Sequence, residues 1–377
     1  MKIAPDWLKD PAAQRVCAML TDAGFQAWFV GGCVRNALIG AGASDLDITT
    51  DARPETVTEL GEKAGFRVVP TGIDHGTVTV VVNGTPFEIT TFRRDVDTDG
   101  RHAIVAFADT AEEDARRRDF TMNALYAAPD GTVFDPLGGA PDALAGHVRF
   151  IGDAGMRITE DYLRILRFFR FFAWYGDPDH GIDAEGLAAC AAHVDGIEGL
   201  SAERIGQEMR KLLLAPDPAP AVASMAACGA LLRVLPGAGP DALTVLVHIE
   251  DMAGLEPDFT RRLATLGGDP DRLRLTKAEA ARHAILRDMD PTTAEVAYRH
   301  GAATAIDRAA VLAASLGQPI PPAEMDAAQR GDGQVLPVKA ADFMPALQGP
   351  ALGTALKRAE ARWIASGFTL TRDDLLG

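Results

Sequence analysis

Val30-Gly31-Gly32-Cys33-Val34-Arg35-Asn36-Ala37-Leu38, followed closely by Asp45-Leu46-Asp47, is the stretch on which the reading of this chain turns. It follows the β-rich run Ala27-Trp28-Phe29-Val30 and opens a helix. Glycines at such a junction let the backbone approach a phosphate, and a helix N-terminus offers free N–H groups with a favourable dipole. A tight turn between strand and helix is the plainer use of the same pair. Asp45 and Asp47 bear on the choice. In a strand, residues i and i+2 project from one face. Two carboxylates side by side repel each other, and aspartate is a poor strand former. A divalent cation resolves the repulsion, and magnesium takes oxygen ligands from one or two carboxylates plus substrate phosphates. Solvated acids at a strand end are the alternative. Glu88, in Phe87-Glu88-Ile89-Thr90, either supplies a third ligand or faces solvent on an edge strand.

Outward from this stretch the chain has two textures. From about residue 27 to 150, short β-rich runs alternate with turns, at 27–30, 46–49, 77–82 and 87–92. Val82-Asn83-Gly84-Thr85 signals a hairpin, because Asn-Gly tolerates the positive φ of a tight turn. Helical patterns at 11–23 and 54–64 flank these runs. Beyond about Thr159 the pattern is helical throughout, broken by Pro and Gly clusters at 215–220, 236–240, 267–270, 317–322 and 345–350. The texture predicts an α/β head followed by an all-helical body.

With 377 residues there is room for two or three domains. A hydrophobic content of 47% excludes a disordered chain. No apolar run of eighteen residues occurs, which predicts no membrane span. Lys2, Asp6, Lys9 and Asp10 stand where a signal peptide would need an apolar core. Cys17, Cys33, Cys190 and Cys228 are scattered, with no CxxC pair, so a reduced cytoplasmic protein is expected. A net charge of −16 argues against non-specific nucleic-acid binding, but it is compatible with a local basic groove.

Two further blocks carry chemistry. In Arg116-Arg117-Arg118-Asp119-Phe120-Thr121-Met122-Asn123, an arginine can grip phosphate oxygens in bidentate fashion, and the acid and amide can bond a ribose. On a helix Asp119 and Asn123 would share a face; a charged helix surface is the simpler reading. In Thr159-Glu160-Asp161-Tyr162-Leu163-Arg164-Ile165-Leu166-Arg167-Phe168-Phe169-Arg170, Thr159 reads as an N-cap and Gly176 as the stop. Asp161 and Arg164 stand at i, i+3, as an ordinary helical ion pair would. Arg164, Arg167 and Arg170, interleaved with Phe168, Phe169, Phe171 and Phe172, suit a strip gripping phosphates beside an apolar core.

In this order the four blocks resemble the class II tRNA nucleotidyltransferase family, that of the CCA-adding enzymes and bacterial poly(A) polymerases. Asp135-Pro136-x-Gly138-Gly139-x-x-Asp142 and Ser201-Ala202-Glu203-Arg204-Ile205-x-x-Glu208 support the resemblance, which is close over about 30–215. It implies an α+β fold, a polymerase-β-like nucleotidyltransferase head with a five-stranded mixed β-sheet followed by all-helical neck, body and tail. The corresponding divisions are 1–150, 151–215 and 216–377. By matching positions, Asp45 and Asp47 would ligate Mg2+, with Glu88 beside them as a third acid. Gly31, Gly32, Arg35 and Arg118 would hold the triphosphate, with Asp119 and Asn123 near the ribose. Asp161 and Arg164 would read the base, supported by Arg167 and Arg170. Family members usually carry Asp where this chain has Asn36, which puts an orienting ion pair at Arg35 in question. No His-Asp dipeptide occurs, so the phosphohydrolase domain that some relatives append is absent from this sequence.

The implied activity is template-independent addition of CMP, CMP and AMP to the tRNA 3′ end from CTP and ATP. A poly(A) polymerase, a CC-only or A-only enzyme and a non-catalytic RNA-binding relative are the alternatives. The stretch 93–109 resembles a flexible loop that accompanies A addition, which favours the full activity, and its segment 95–102 has no core-forming pattern. Intact Asp45 and Asp47 disfavour a pure binder. No protein partner can be inferred.

Overall fold

Asp10 accepts from the Ala12 N–H and Pro11 holds the first helical position, so helix α1 (Pro11–Thr21) begins where both signals place it. The computed structural model describes residues 1–42, 45–73, 76–99, 102–344 and 346–377, apart from the side chains of 71, 95–99 and 102–105. After α1 come β1 (Trp28–Val30), α2 (Gly32–Ile39), β2 (Asp47–Thr50), α3 (Pro54–Lys63), β3 (Arg67–Gly72), β4 (Thr77–Val82) and β5 (Thr85–Thr91). Then follow β6 (Arg93–Asp99), β7 (His102–Phe107), α4 (Ala111–Arg116), β8 (Tyr126–Ala127), β9 (Val133–Phe134) and α5 (Gly139–Leu144).

Seven of these strands form one mixed sheet in the order β3-β4-β5-β2-β1-β8-β9. The expected five-stranded sheet is thus extended. The two-residue strands β8 and β9 are too short to leave a periodic signature, and Pro70 disguises β3. That proline is tolerated because β3 is an edge strand. Asn83 and Gly84, at φ 53° and 86°, make the expected tight turn between β4 and β5. The β2–β5 pair is parallel and its register sets Asp47 opposite Glu88. β5 lies between β4 and β2, so Glu88 is on an inner strand rather than an edge. Asp45 precedes β2, which starts only at Asp47.

The stretch 93–109 is a second correction. It contains the antiparallel two-stranded ribbon β6–β7, where the sequence pattern predicted no strand. Gly100 and Arg101 lie outside the described residues.

From Ala154 the chain is helical. Asp153, not Thr159, caps α6 (Ala154–Glu160) by accepting from the Met156 N–H at 2.7 Å. The chain breaks at Asp161 and restarts as α7 (Leu163–Tyr175), which ends at Gly176 as expected. Thr159 therefore sits in the last turn of α6, its hydroxyl bonded to the Met156 carbonyl. Phe168, Phe169, Phe171 and Phe172 are buried. Phe120 ties α7 to the head, its ring centroid 5.0 Å from Phe150 and 4.9 Å from Phe171. Next come α8 (Ala184–Ala192), α9 (Ala202–Leu213), α10 (Ala219–Ala227) and α11 (Ala230–Val234).

The described residues divide into two compact units, 1–212 with 220–234, and 213–219 with 235–377. The second unit is helical. Its centre is a buried charge network on α12 (Asp241–Ala253), α13 (Phe259–Leu266), α14 (Lys277–Arg287) and α16 (Ala302–Ser315), with α15 (Thr293–His300) between the last two. Glu250 takes Arg261 at 2.8 Å and Arg262 at 2.7 Å, while Asp307 takes Arg261 and Arg282. Arg262, 1% exposed, also donates to the Leu213 and Ala215 carbonyls. Breaking a buried pair by removing one partner strands the other charge, at a cost of about 3–5 kcal/mol. Glu250→Ala should lower the denaturant midpoint by a corresponding amount, and a midpoint within experimental error of the parent would disprove this role.

Candidate active site

Gly31 has φ +74° and ψ −122°, a conformation that only glycine adopts without strain. It also gives room: a Cβ there would come within 3.4 Å of Arg118 Nη1. Its N–H is used, donating to Leu125 O at 2.9 Å, which fastens the loop to the segment just before β8. The first turn of α2 has no side-chain cap, so its N-terminal N–H groups remain open to an acceptor. Gly31 and Arg118, far apart in the chain, are therefore neighbours in the fold.

The acids form the opposing feature. Parallel register sets the Asp47 and Glu88 side chains on the same face of adjacent strands. Burial, and after it the negative charge of Glu88, raise the Asp47 carboxyl above its ordinary range; Arg118 opposes this and Asp45 adds to it. Among the described residues no three His, Cys, Asp or Glu side chains gather into a metal cage. The donor set nevertheless fits a hard divalent cation, which needs only one or two carboxylates when substrate phosphates complete its shell. Asp45 and Asp47 would hold it.

Arg118 is anchored by a residue to which sequence reasoning gave no role. Asp114, fully buried on α4, accepts from Arg118 Nη2 at 2.9 Å, Arg117 Nε at 3.1 Å and the Tyr126 hydroxyl at 2.8 Å. The i, i+4 spacing of Asp114 and Arg118 was the available signal. Burial alone would raise the Asp114 carboxyl, but Arg118 and Arg117 override it and hold it at about 2. Burial likewise works against the Arg118 charge, and Asp114 more than offsets it.

Asp119 and Asn123 meet as expected, the amide donating at 2.8 Å, but not across an α-helix. α4 ends at Arg116, and Asn123 closes a 3₁₀ turn, Thr121–Asn123. Asp119 also accepts from Arg167 Nε at 2.8 Å. Burial would raise its carboxyl, whereas Arg167 and Asn123 hold it at about 2. Arg170 donates to Glu208 at 2.6 Å, with Arg167 3.8 Å from the same acid. Arg35 is 4% exposed and donates to Asn36 Oδ1 and to Asn123 Oδ1. The Asp119, Arg167, Arg170 and Arg35 side chains thus belong to one connected polar relay.

Asp161 and Arg164 do not form the helical ion pair that their spacing allows. Asp161 Oδ1 accepts from the Leu163 N–H at 3.1 Å and Oδ2 from Arg204 at 2.7 Å. Arg164 is bound to Glu160 and to the Arg157 carbonyl. The break between α6 and α7 separates them, since Asp161 stands outside either helix. Arg157, unmarked by sequence pattern, supports the region by donating to the Arg118 carbonyl at 2.8 Å.

Glycine loop, paired acids and a mixed sheet with a parallel β2–β5 pair define a polymerase-β-like nucleotidyltransferase head. Residues 27–149 match the family described as poly A polymerase head domain, and 181–240 match the probable RNA- and SrmB-binding site of polymerase A. The human mitochondrial CCA tRNA nucleotidyltransferase 1 is 45% identical over 185 residues, 49% of this chain and 43% of that protein. A CCA-adding enzyme of Leuconostoc mesenteroides is 39% identical over 255 residues, 67% of this chain and 59% of its own. The chain spans about half the length of the curated relatives it matches. The crystal structure of a Bacillus stearothermophilus CCA-adding enzyme in complex with CTP has a TM-score of 0.70 at 27% identity, covering 94% of this chain and 92% of that one. A Thermotoga maritima CCA-adding enzyme complexed with tRNA shares the fold, with TM-score 0.71 at 18% identity over 100% and 95% of the two chains. The chain belongs to the class II tRNA nucleotidyltransferase family of CCA-adding enzymes and bacterial poly(A) polymerases. Enzymes of this kind generally use divalent metal ions.

Asp114 generates a test. Its folded pKa of about 2 lies below the ordinary aspartate value of about 3.9, so its charge stabilises the fold above about pH 4. That contribution is lost as pH falls from there towards about 2. Asp114→Asn should destabilise the protein by about 3 kcal/mol at neutral pH and flatten the acid limb of its denaturation midpoint. An acid limb as steep as that of the parent would exclude Asp114 as the charged anchor.

Proposed function

We propose that this protein is a CCA tRNA nucleotidyltransferase that adds CMP, CMP and AMP to the tRNA 3′ end from CTP and ATP, releasing pyrophosphate. The observation that carries this reading is the position of Arg118, against the Gly31 backbone on one side and within electrostatic reach of Asp47 on the other. A triphosphate there would meet backbone N–H groups and a guanidinium, with acids beside its α-phosphate end. The 3′-hydroxyl oxygen forms a bond to the α-phosphorus, the bridging bond to the β-phosphate breaks so that pyrophosphate leaves, and the hydroxyl proton passes to solvent. Mg2+ held by Asp45 and Asp47 would supply charge neutralisation and polarisation of the hydroxyl and phosphoryl oxygens. Gly32 and Arg118 orient the triphosphate, and Asp114 keeps Arg118 in place. The protein contributes position and electrostatics rather than covalent chemistry. Glu88 adds negative charge that strengthens cation binding at Asp47.

tRNA is the acceptor in this reading. Identity of 45% to the human enzyme over 185 residues and the match to an RNA-binding family over 181–240 support it. Acceptor-end RNA is read by shape and backbone contacts. Free cysteines, with Cys17, Cys33 and Cys190 buried, suit a reducing compartment, and we place the protein in the cytoplasm. Among the described residues no helix is long and apolar enough to cross a membrane.

Incubating the protein with tRNA lacking its 3′ end, Mg2+ and each labelled nucleotide separately tests the activity. Incorporation of two CMP and one AMP is expected. Runs of AMP would instead mark a poly(A) polymerase, and no incorporation would reject the reading. Asp47→Ala should abolish both CMP and AMP incorporation while tRNA binding persists.

Base choice follows from donors and acceptors. Cytosine and adenine both offer an amino donor beside a ring-nitrogen acceptor, and uracil and guanine invert this pattern. Asp161 accepts from the amino group and Arg164 donates to the ring nitrogen once they exchange Arg204 and Glu160 for the base. A mismatched base leaves groups unpaired at roughly 1–3 kcal/mol each, about ten- to a hundredfold per contact. Asp161→Ala should admit UTP or GTP. If all four nucleotides slow by one common factor, Asp161 serves only as the cap of α7 and partner of Arg204.

A further inference from the structure

Asn36 stands where the motif usually carries aspartate, and its amide is used at both ends. Its Oδ1 accepts from Arg35 Nε at 3.1 Å and Nη2 at 2.9 Å, while its Nδ2 donates to the Gly42 carbonyl at 2.9 Å. A carboxylate could do the first but not the second, having no donor. The other groups that Arg35 bonds or stacks on are neutral, with Arg170 over the same Phe171 ring. Nη1 donates to the Asn123 amide oxygen, and the guanidinium carbon lies 3.8 Å from the centroid of the Tyr175 ring and 5.4 Å from that of Phe171. The nearest acid in this relay, Asp119, is already bound to Arg167.

We propose that Asn36 is a neutral positioning residue, which orients Arg35 without cancelling its charge and ties it to the loop that leads to Asp45 and Asp47. Arg35 therefore keeps a full positive charge near the triphosphate, held between α2, the 3₁₀ turn and α7. Burial pulls the guanidinium below its usual range, Tyr175 and then Asp119 only partly offset this, and the Arg170 charge adds to it. An anion arriving in the site relieves that imbalance. Aspartate at position 36 would pre-empt it with an internal ion pair and would turn a carboxylate oxygen towards the Gly42 carbonyl. Asparagine thus leaves the site more positive than the usual motif does, on a chain whose net charge is −16.

This inference rests on the nucleotide-binding reading above, and its test has one arm that needs no nucleotide. In the apoprotein, amide hydrogen exchange across residues 37–42 should rise in both Asn36→Asp and Asn36→Leu, because each removes the donor to Gly42. The second arm is CTP binding by titration calorimetry without tRNA. Asn36→Asp should weaken it about tenfold at low salt, with the loss shrinking at high salt as the electrostatic contribution is screened. Asn36→Leu leaves two Arg35 donors unpaired and should weaken it at every salt concentration. Unchanged exchange in Asn36→Leu, or Asn36→Asp binding CTP within twofold of the parent, would overturn the proposal. A parent protein that binds no CTP would instead sink the nucleotide reading, with the exchange arm still deciding the tether.

Discussion

A guanidinium taken out of water must have acceptors for its donors, and this requirement organises the first unit around the site. Arg118, Arg167, Arg170 and Arg35 each lose much of their hydration. Each is matched by a polar side chain: Asp114 for Arg118, Asp119 for Arg167, Glu208 for Arg170, and for Arg35 the amides of its neighbour Asn36 and of the distant Asn123. Because the partners come from α2, α4, the 3₁₀ turn, α7 and α9, satisfying the arginines also fixes those elements against one another. The apolar packing of Phe120, Phe150, Phe168 and Phe171 runs alongside and excludes water from the same seam.

The sheet contributes the opposite charge. Its parallel β2–β5 register concentrates Asp47 and Glu88 on one face, where the carboxylates repel and Arg118 alone among the named cations offsets them at Asp47. The donor set of such a site fits a divalent cation carrying a polyphosphate. The arrangement is consistent with a reaction that asks the protein for orientation and charge stabilisation, since phosphoryl chemistry needs little covalent help. The second unit solves its own buried-charge problem separately, with Arg261, Arg262 and Arg282 set against Glu250, Asp258 and Asp307.

Much of the head was legible residue by residue. The Gly31-Gly32 turn, the Asn83-Gly84 hairpin, the start of α1 and the end of α7 are local matters of φ, ring closure and missing donors, and short stretches of chain carry that information. The pairing of Asp119 with Asn123 was also legible as a contact, though on a 3₁₀ turn rather than an α-helix. β3, β8 and β9 were not legible, because a proline or a length of two residues erases periodicity, and only pairing with neighbouring strands makes them strands.

Residue types and spacing by themselves determined the order of an α/β head and a helical body, and the motifs carried the resemblance to the family. Tertiary structure decided which charges meet. It drew Asp161 to Arg204 and Arg164 to Glu160, set Asp114 beneath Arg118, and gave Asn36 a second partner in Gly42. The reason is physical. Tight turns and helix caps depend on near neighbours in the chain, whereas a desolvated charge takes whichever partner the packed fold brings within about 3 Å.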